Sequence, residues 1–512
     1  MKFVKKKNDS IKSTSNAAGN GNMPEFKDNE VTFANIKRIL SDSDDINYQI
    51  HYINNRPDLS VTLIYVDGMV DTKIVNEDIL KPLTQEKAFM EAKNAKDIIE
   101  FIENGAIYHS SRKKRLTLKE TLEDILKGSA ALVFDSEKTA VTFEVIGYEK
   151  RAVTEPVAEN AVKGSKDSFI EVLRVNTSLV RRKITSPYLR IKEVFAGKHT
   201  RTAIAVIYIE NITNKKIVNE VFKRLNSTNV DGVISAGYIE EYIKDRKRTI
   251  FPLMLNTERT DKFCQYLLEG RIGLIIDGLP NAYILPATFN IFFQAPEDYS
   301  QHFVISSFLR CLRYICAVIS LTLPGFYIAL TTFHQEMIPT LLAYTIVKSK
   351  QNVPFPTSTS VLFMQVAFEI LLEAGLRLPK YIGQAISIIG ALVVGQAAVQ
   401  ANLISPLVVI IIALTGMTGF TIPNQDFSNS MRIVRFVLIL FSTIAGLYGL
   451  SIGLVLIIYH LNTLDTFGVP YLSPFVASEG KGIAKDTIIR MPLFLMKKRP
   501  VNLKVTDKKS KG

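Results

Sequence analysis

Two hydrophobic patterns divide the chain. Up to about residue 300, short β-branched runs alternate with amphipathic stretches. Beyond Tyr299 the apolar runs become long enough to cross a bilayer. In the first part, Leu59–Val66 and Thr202–Ile209 read as strands. Asp71 and Thr213 then stand as N-caps of amphipathic helices. In the second of these, Ile217, Val218, Val221, Phe222 and Leu225 recur at helical spacing. Thr117 and Glu120 form a capping box for a helix ending at Leu126. Gly128 and Gly270 mark helix ends. Ala131–Phe134 and Leu274–Ile276 read as buried strands, each followed by a turn and a second strand. Between the two sets lie a polar stretch, Thr154–Lys166, and a helix over Phe169–Lys183.

The two sets resemble each other in sequence. Ile64–Glu77 (IYVDGMVDTKIVNE) and Ile207–Glu220 (IYIENITNKKIVNE) share seven of fourteen positions at an offset of 143. Gly128–Asp135 (GSAALVFD) and Gly270–Asp277 (GRIGLIID) repeat at an offset of 142. Two matches in one order and at nearly one offset imply duplicated α/β subdomains in tandem.

In the second part, Phe303–Leu323, Leu362–Leu378, Ile382–Ile404, Pro406–Ile422 and Ile433–Tyr459 are candidate crossings. Met337–Val347 is shorter and suits an interfacial or re-entrant segment. The fold class is therefore α/β plus an all-α membrane domain of four or five transmembrane segments. A soluble region and a basic tail on one side require an even number of crossings. One of the five must then stop short, or Met337–Val347 must cross.

Charge supports this division. Of the net +13 over 512 residues, residues 1–300 carry +3 and residues 301–512 carry +10; residues 481–512 alone hold +8. That is not the even basic cover of a nucleic-acid-binding protein, so no nucleic-acid partner is expected. Three cysteines without a CxxC pair argue against a disulfide scaffold or a cysteine zinc site. Residues 1–28 read as a solvated basic and polar tail without the apolar core of a signal peptide, which places the α/β region in the cytosol. The remaining divisions are 29–150 and 185–300 for the two subdomains, 151–184 for the linker with its helix, 301–460 for the membrane domain and 461–512 for the basic cytosolic segment.

No catalytic motif is present. Gly197-Lys198-His199-Thr200 lacks the upstream glycine of a phosphate loop, and His109 and His199 stand alone. The expectation is a protein that is not an enzyme and holds no cofactor or metal. Arg181, Arg182 and Lys183 read as a solvated helix end, favoured by the helix dipole. Arg310 and Arg313 read as residues snorkelling to the interface.

The membrane segments hold the sharper candidates. Glu369, Glu373 and Arg377 follow at i, i+4 and i+8, with Gln365 one turn earlier, so the four share one helical face. Charges in a bilayer usually face a bundle interior or water. The face suits either an ion pathway and gate or an internal Glu373–Arg377 salt bridge. Gly383, Gly390 and Gly395, and the Gly449/Gly453 GxxxG pair, suit close helix packing.

These segments resemble the A subunit of spore germinant receptors, the GerA family. The resemblance is carried by EGRIGLIIDGLPNAYILPATFNIFFQAPEDY (Glu269–Tyr299), LPGFYIALTTFHQEMIPT (Leu323–Thr340), VPFPT (Val353–Thr357) and FEILLEAGLRLP (Phe368–Pro379). It continues through Ile382–Pro406, FGVPYLSP (Phe467–Pro474), KDTIIRMP (Lys485–Pro492) and KKRP (Lys497–Pro500). The resemblance implies a protein of the spore inner membrane working with a permease-like B subunit and a lipoprotein C subunit. It also implies a homo-oligomer that forms or gates a cation pathway in response to a nutrient. The family pattern has an acidic residue near Gln365, which is neutral here. The alternatives are the paralogous stage V sporulation membrane protein, which amplifies ion release, and a stand-alone secondary transporter.

Overall fold

The computed structural model describes residues 29–53, 56, 59–107, 109–147, 156, 159, 164–377, 395–475 and 486–509. The tail 1–28, most of the linker, and the stretch 382–394 with Gly383 and Gly390 lie outside the described residues.

The first α/β unit is an antiparallel sheet of β1 (Ile46–Tyr52), β2 (Ser60–Val66), β3 (Arg112–Arg115), β4 (Ala130–Phe134) and β5 (Thr139–Phe143), in the order β1-β2-β4-β5-β3. Helix α1 (Phe33–Leu40) precedes β1, and α2 (Ala95–Glu103) and α3 (Leu118–Leu126) lie between β2 and β4. Both faces of β2 are covered. Val61, Leu63 and Tyr65 join α2 residues Ile98 and Ile102 in one core. Ile64 and Val66 join Ile36 of α1 and Leu122 of α3 in another. Burial on both faces is why β2 and β4 are continuous apolar runs rather than alternating ones.

The second unit repeats the order. Strands β6 (Leu189–Ala196), β7 (Thr202–Ile209), β8 (Leu255–Thr257), β9 (Ile272–Ile276) and β10 (Ala282–Leu285) form a sheet β6-β7-β9-β10-β8. Its helices include α4 (Leu173–Lys183), α5 (Lys215–Asn226) and α6 (Thr260–Leu268). Gly128 and Gly270 follow α3 and α6 at φ +97° and +96°. Asp71 and Thr117 cap their helices, but the cap of α5 is Asn214, not Thr213: its side chain accepts from the Lys216 amide. Thr213 is instead buried.

The units meet through a buried polar seam. Arg181 of α4 is fully buried and donates to Asp45 at 2.7 and 2.9 Å and to Ser43 Oγ at 3.1 Å. Ser43 Oγ donates to the Leu189 carbonyl, and the Asp44 amide to that of Ile191. This corrects the reading of Arg181 as part of a solvated helix end: its guanidinium is held by the other unit, not by water. Arg182 and Lys183 are exposed, as that reading expects, and Lys183 bonds Asp167 at 3.1 Å.

The helical region contains α7 (Phe303–Thr332), α8 (Thr340–Lys350), α9 (Thr357–Arg377), α10 (Pro406–Gly419) and α11 (Gln425–Asn462). Three of these, α7, α9 (through Gly375) and α11, are long and apolar enough to cross a membrane. Helix α11 has 38 residues; a straight helix of that length would measure about 57 Å, well beyond a bilayer core of ~30 Å. It is not straight. Ala445 (φ −134°, ψ 18°) and Gly446 (φ 60°, ψ −137°) leave helical geometry and turn the chain back. A Cβ on Gly453 would stand 2.5 Å from Leu438, and one on Gly449 would clash with the Phe441 carbonyl. Along a straight helix Leu438 and Gly453 would be about 22 Å apart. The single long segment expected over Ile433–Tyr459 is thus a helical hairpin of arms 425–444 and 447–462. Only Gly supports the turn at this φ, and only Gly lets the arms approach so closely.

The C-terminal segment is not a free tail. Leu464, Phe467, Val469, Tyr471, Leu503 and Val505 are buried in the core of the second α/β unit. Phe427 and Leu461, one from each arm of α11, enter the same core.

Candidate functional site

Helix α9 packs against α10, α7 and α11, with its Gln365–Glu369 turn facing the first arm of α11. Gln365 is buried and donates through Nε2 to Glu369 Oε1 at 2.9 Å. Arg432, on the first arm of α11, holds Glu369 Oε2 through Nε at 2.8 Å and through Nη2. Arg435, one turn on, lies 4.0 Å from Glu369 Oε1 and is itself buried. It donates to the Ser320 carbonyl at 2.7 Å and to Ser320 Oγ at 2.5 Å, joining α11 to the middle of α7. Two helices, α9 and α11, therefore meet on one carboxylate flanked by two guanidinium groups, and Arg435 ties α7 to them. Pairing of this kind is what makes charge tolerable among apolar helices.

The other half of the predicted face behaves differently. Glu373 accepts from Arg377 Nε and Nη2 at 3.0 and 2.8 Å within α9, and both side chains are exposed. A groove of about 580 Å³ runs past Val366, Glu369, Ile370, Glu373, Arg377 and Arg432. Sequence reasoning placed the four residues of α9 on one face but missed Arg432, which decides what Glu369 does. Its signal was present: Arg432 and Arg435 open the longest apolar run in the chain. Of the packing glycines, Gly449 and Gly453 sit between the arms of α11, and a Cβ on Gly395 would stand 3.4 Å from Val409 of α10.

A second charged constellation joins the α/β region to α7. Asp298 is buried in the turn before α7. It accepts from Arg310 Nε at 3.1 Å and from Arg313 Nη1 at 2.8 and 2.9 Å. Arg310 also reaches Asp486 of the C-terminal segment at 2.8 Å, and Tyr299 donates to the same carboxylate at 2.7 Å. Arg310 is fully buried, so the snorkelling reading is corrected: two carboxylates from outside the helix hold these arginines against the α/β unit. Burial pushes Asp486 and Tyr299 upward in pKa, with Arg310 acting in the opposite sense on both. Beside them is a cavity of about 780 Å³ whose walls include Glu269, Arg271, Tyr299, Asp486 and Lys497. Glu269 is pushed up to about 7 by burial, opposed by Arg271. Among the described residues no group of three or more His, Cys, Asp or Glu is placed to hold a metal ion.

Comparison with known proteins decides the family. The family profile described as Bacillus/Clostridium GerA spore germination protein matches residues 34–502. The chain belongs to the GerA family. It is 38% identical to spore germination protein KA of Bacillus subtilis over 94% of this chain and 87% of the relative. It is 38% identical to spore germination protein B1 of Bacillus subtilis over 91% and 95%. With spore germination protein GerLA of Bacillus cereus the identity is 35% over 87% and 89%. Among solved structures, the crystal structure of the N-terminal domain of the A subunit of the Bacillus megaterium spore germinant receptor GerK3 matches with a TM-score of 0.41 and 27% identity. It covers 51% of this chain and 97% of that one. As a GerA-family protein with long apolar helices, this chain has a role in spore germination as a membrane protein.

Proposed function

We propose that this GerA-family chain is the A subunit of a nutrient receptor in the inner membrane of the spore. Together with a permease-like B subunit and a lipoprotein C subunit, it converts nutrient binding into ion release. It acts as an oligomer whose membrane helices form or gate a cation pathway, and it is not an enzyme. The observation that carries the pathway is the Gln365–Glu369–Arg432 cluster, where one carboxylate links α9 to α11 beside an open groove. A carboxylate so held can bias the packing of two helices and meet a cation if the helices part.

The matched strand orders and sequence repeats support an origin of the two α/β units by duplication. Among the described helices, α7, α9 and the two arms of α11 are read as crossings, an even number. The hairpin supplies the extra crossing that parity requires and leaves the α/β region and the C-terminal segment on one side, in the cytosol.

The test uses spores lacking only this chain, challenged with amino acids, sugars and nucleosides while potassium and dipicolinate release are followed. Loss of response to one nutrient class is expected. A uniform slowing toward every nutrient would assign the chain to the amplifying step instead. In complemented spores, Glu369→Ala should alter the rate of potassium release at normal protein level; an unchanged rate would remove the pathway role.

A further inference from the structure

The C-terminal segment that supplies Asp486 continues into an exposed apolar loop beside the first turns of α7. Ile488, Ile489, Leu493, Phe494 and Leu495 are all exposed, Phe494 by 70%. Lys497 and Lys498 follow at once and are exposed. The loop is fixed to the helix, not adjacent by chance. The Arg490 amide donates to Ser307 Oγ at 3.1 Å, Ser307 Oγ donates to the Arg490 carbonyl at 3.0 Å, and Arg490 Nη1 donates to the Gln301 carbonyl at 3.2 Å. On α7 itself, Val304, Phe308, Leu312 and Ile315 form an exposed apolar stripe at helical spacing. Arg310, buried, and Arg313, half-buried, are held against the α/β unit by Asp298. Loop and stripe together make one apolar surface running onto the helix that enters the bilayer, with a basic pair at its edge.

We propose that residues 488–498 are a membrane-interface anchor for anionic phospholipid. Ile489, Phe494 and Leu495 enter the boundary between headgroups and acyl chains, and Lys497 and Lys498 bind the phosphate headgroups. Apolar groups beside lysines are the composition that interfacial segments use. The excess of +8 in residues 481–512 gives the required charge complementarity. Each lysine at an anionic surface is worth about a fivefold change in local association. Through Arg310 and Tyr299, which both bond Asp486, the state of the bilayer surface is connected to the start of α7.

The inference rests on α7 being inserted in a bilayer, which flotation of the reconstituted full chain with vesicles checks separately. The chain has no tryptophan, so Phe494→Trp introduces a single indole that can be excited apart from the tyrosines. In vesicles containing phosphatidylglycerol, its emission should shift to the blue and be quenched by phospholipids brominated near the headgroup. A second variant, Phe195→Trp on strand β6, should stay unquenched. Lys497→Gln with Lys498→Gln, in the Phe494→Trp background, should weaken lipid contact by about 25-fold. Replacing phosphatidylglycerol with phosphatidylcholine should do the same. If the vesicles carry the protein and Phe494→Trp is not quenched by brominated lipid, the anchor is refuted. If it is shielded from aqueous iodide without lipid quenching, a protein partner covers the loop and the proposal also fails. Quenching indifferent to both lysines and headgroup would overturn the recognition of anionic lipid.

Discussion

Arg181 and Asp45 form a two-pronged ion pair that is sealed between the two α/β units, with each side chain about 1% exposed. Such a pair contributes little net stability compared with an apolar replacement of equal volume, because both charges lost their water. Breaking it from one side is another matter. Asp45→Ala should destabilise the seam by about 3–5 kcal/mol, since the guanidinium remains buried without its partner. Asp45→Leu combined with Arg181→Met should recover most of that loss. Thermal unfolding of the full chain in detergent checks both; equal damage from the single and double variants would contradict the account.

The hairpin in α11 makes a topological prediction. Cysteines placed at Gln425 and Asn462 should react with a membrane-impermeant maleimide from the same face, and one at Ala445 from the opposite face. The exposed native Cys311 must be replaced first. Labelling of positions 425 and 462 from opposite faces would restore a single crossing. Gly446→Val should prevent the turn, because a β-branched side chain at φ 60° is strained and its Cβ would press on Phe333 at 2.9 Å.

The two glutamates of α9 should separate by experiment although they share a helical face. Glu369→Ala leaves Arg432 without its partner and should lower stability by about 2–3 kcal/mol. The exposed Glu373–Arg377 pair is local and screened, so Glu373→Ala should cost no more than about 0.5 kcal/mol. Denaturation in mild detergent at matched pH measures both. Similar losses would mean that Glu373 has a partner beyond α9.

Glu269 predicts a pH dependence. Its carboxyl rises from 4.5 to about 7 in the folded chain, so between these values the folded state holds a proton that the unfolded state has released. Stability should therefore fall as pH rises from 4.5 to 7, by roughly 1–2 kcal/mol once the partial exposure of Glu269 is allowed for. Glu269→Gln should flatten the curve across that window. An unchanged slope would place the titration elsewhere.

What could be read from the sequence follows physical lines. Strand β7 was legible over Thr202–Ile209 because both faces of it are buried and the run is unbroken. Strand β3 was not: Arg112–Arg115 reads RKKR, an edge strand whose identity comes from pairing with β5. Edge strands commonly carry charge for protection, which hides their pattern. Gln365, Glu369, Glu373 and Arg377 were legible as a face because helical spacing is local. Arg432 lies 63 residues from Glu369, and no local periodicity reports a contact at that distance. The fate of Arg181 and Arg310 was obscured for the same reason, since their carboxylate partners come from other segments. The hairpin had a trace in the sequence, Gly446, Gly449 and Gly453 within one apolar run, but a glycine-rich run fits a straight packed helix equally well.

The burial of Tyr471, Leu503 and Val505 in the second α/β unit has a consequence for biogenesis. Among the described residues, the buried core clusters of the first unit end at Val145, so it can close while translation continues. The second contributes strands early but receives its last side chains only after every apolar helix has left the ribosome. Completion of its core thus acts as a record that the membrane helices were synthesised and returned the chain end to the correct side. A protein whose chain stopped short, or whose hairpin in α11 was inserted the wrong way, would be left with Ile212 and Phe292 unsealed and exposed to quality control.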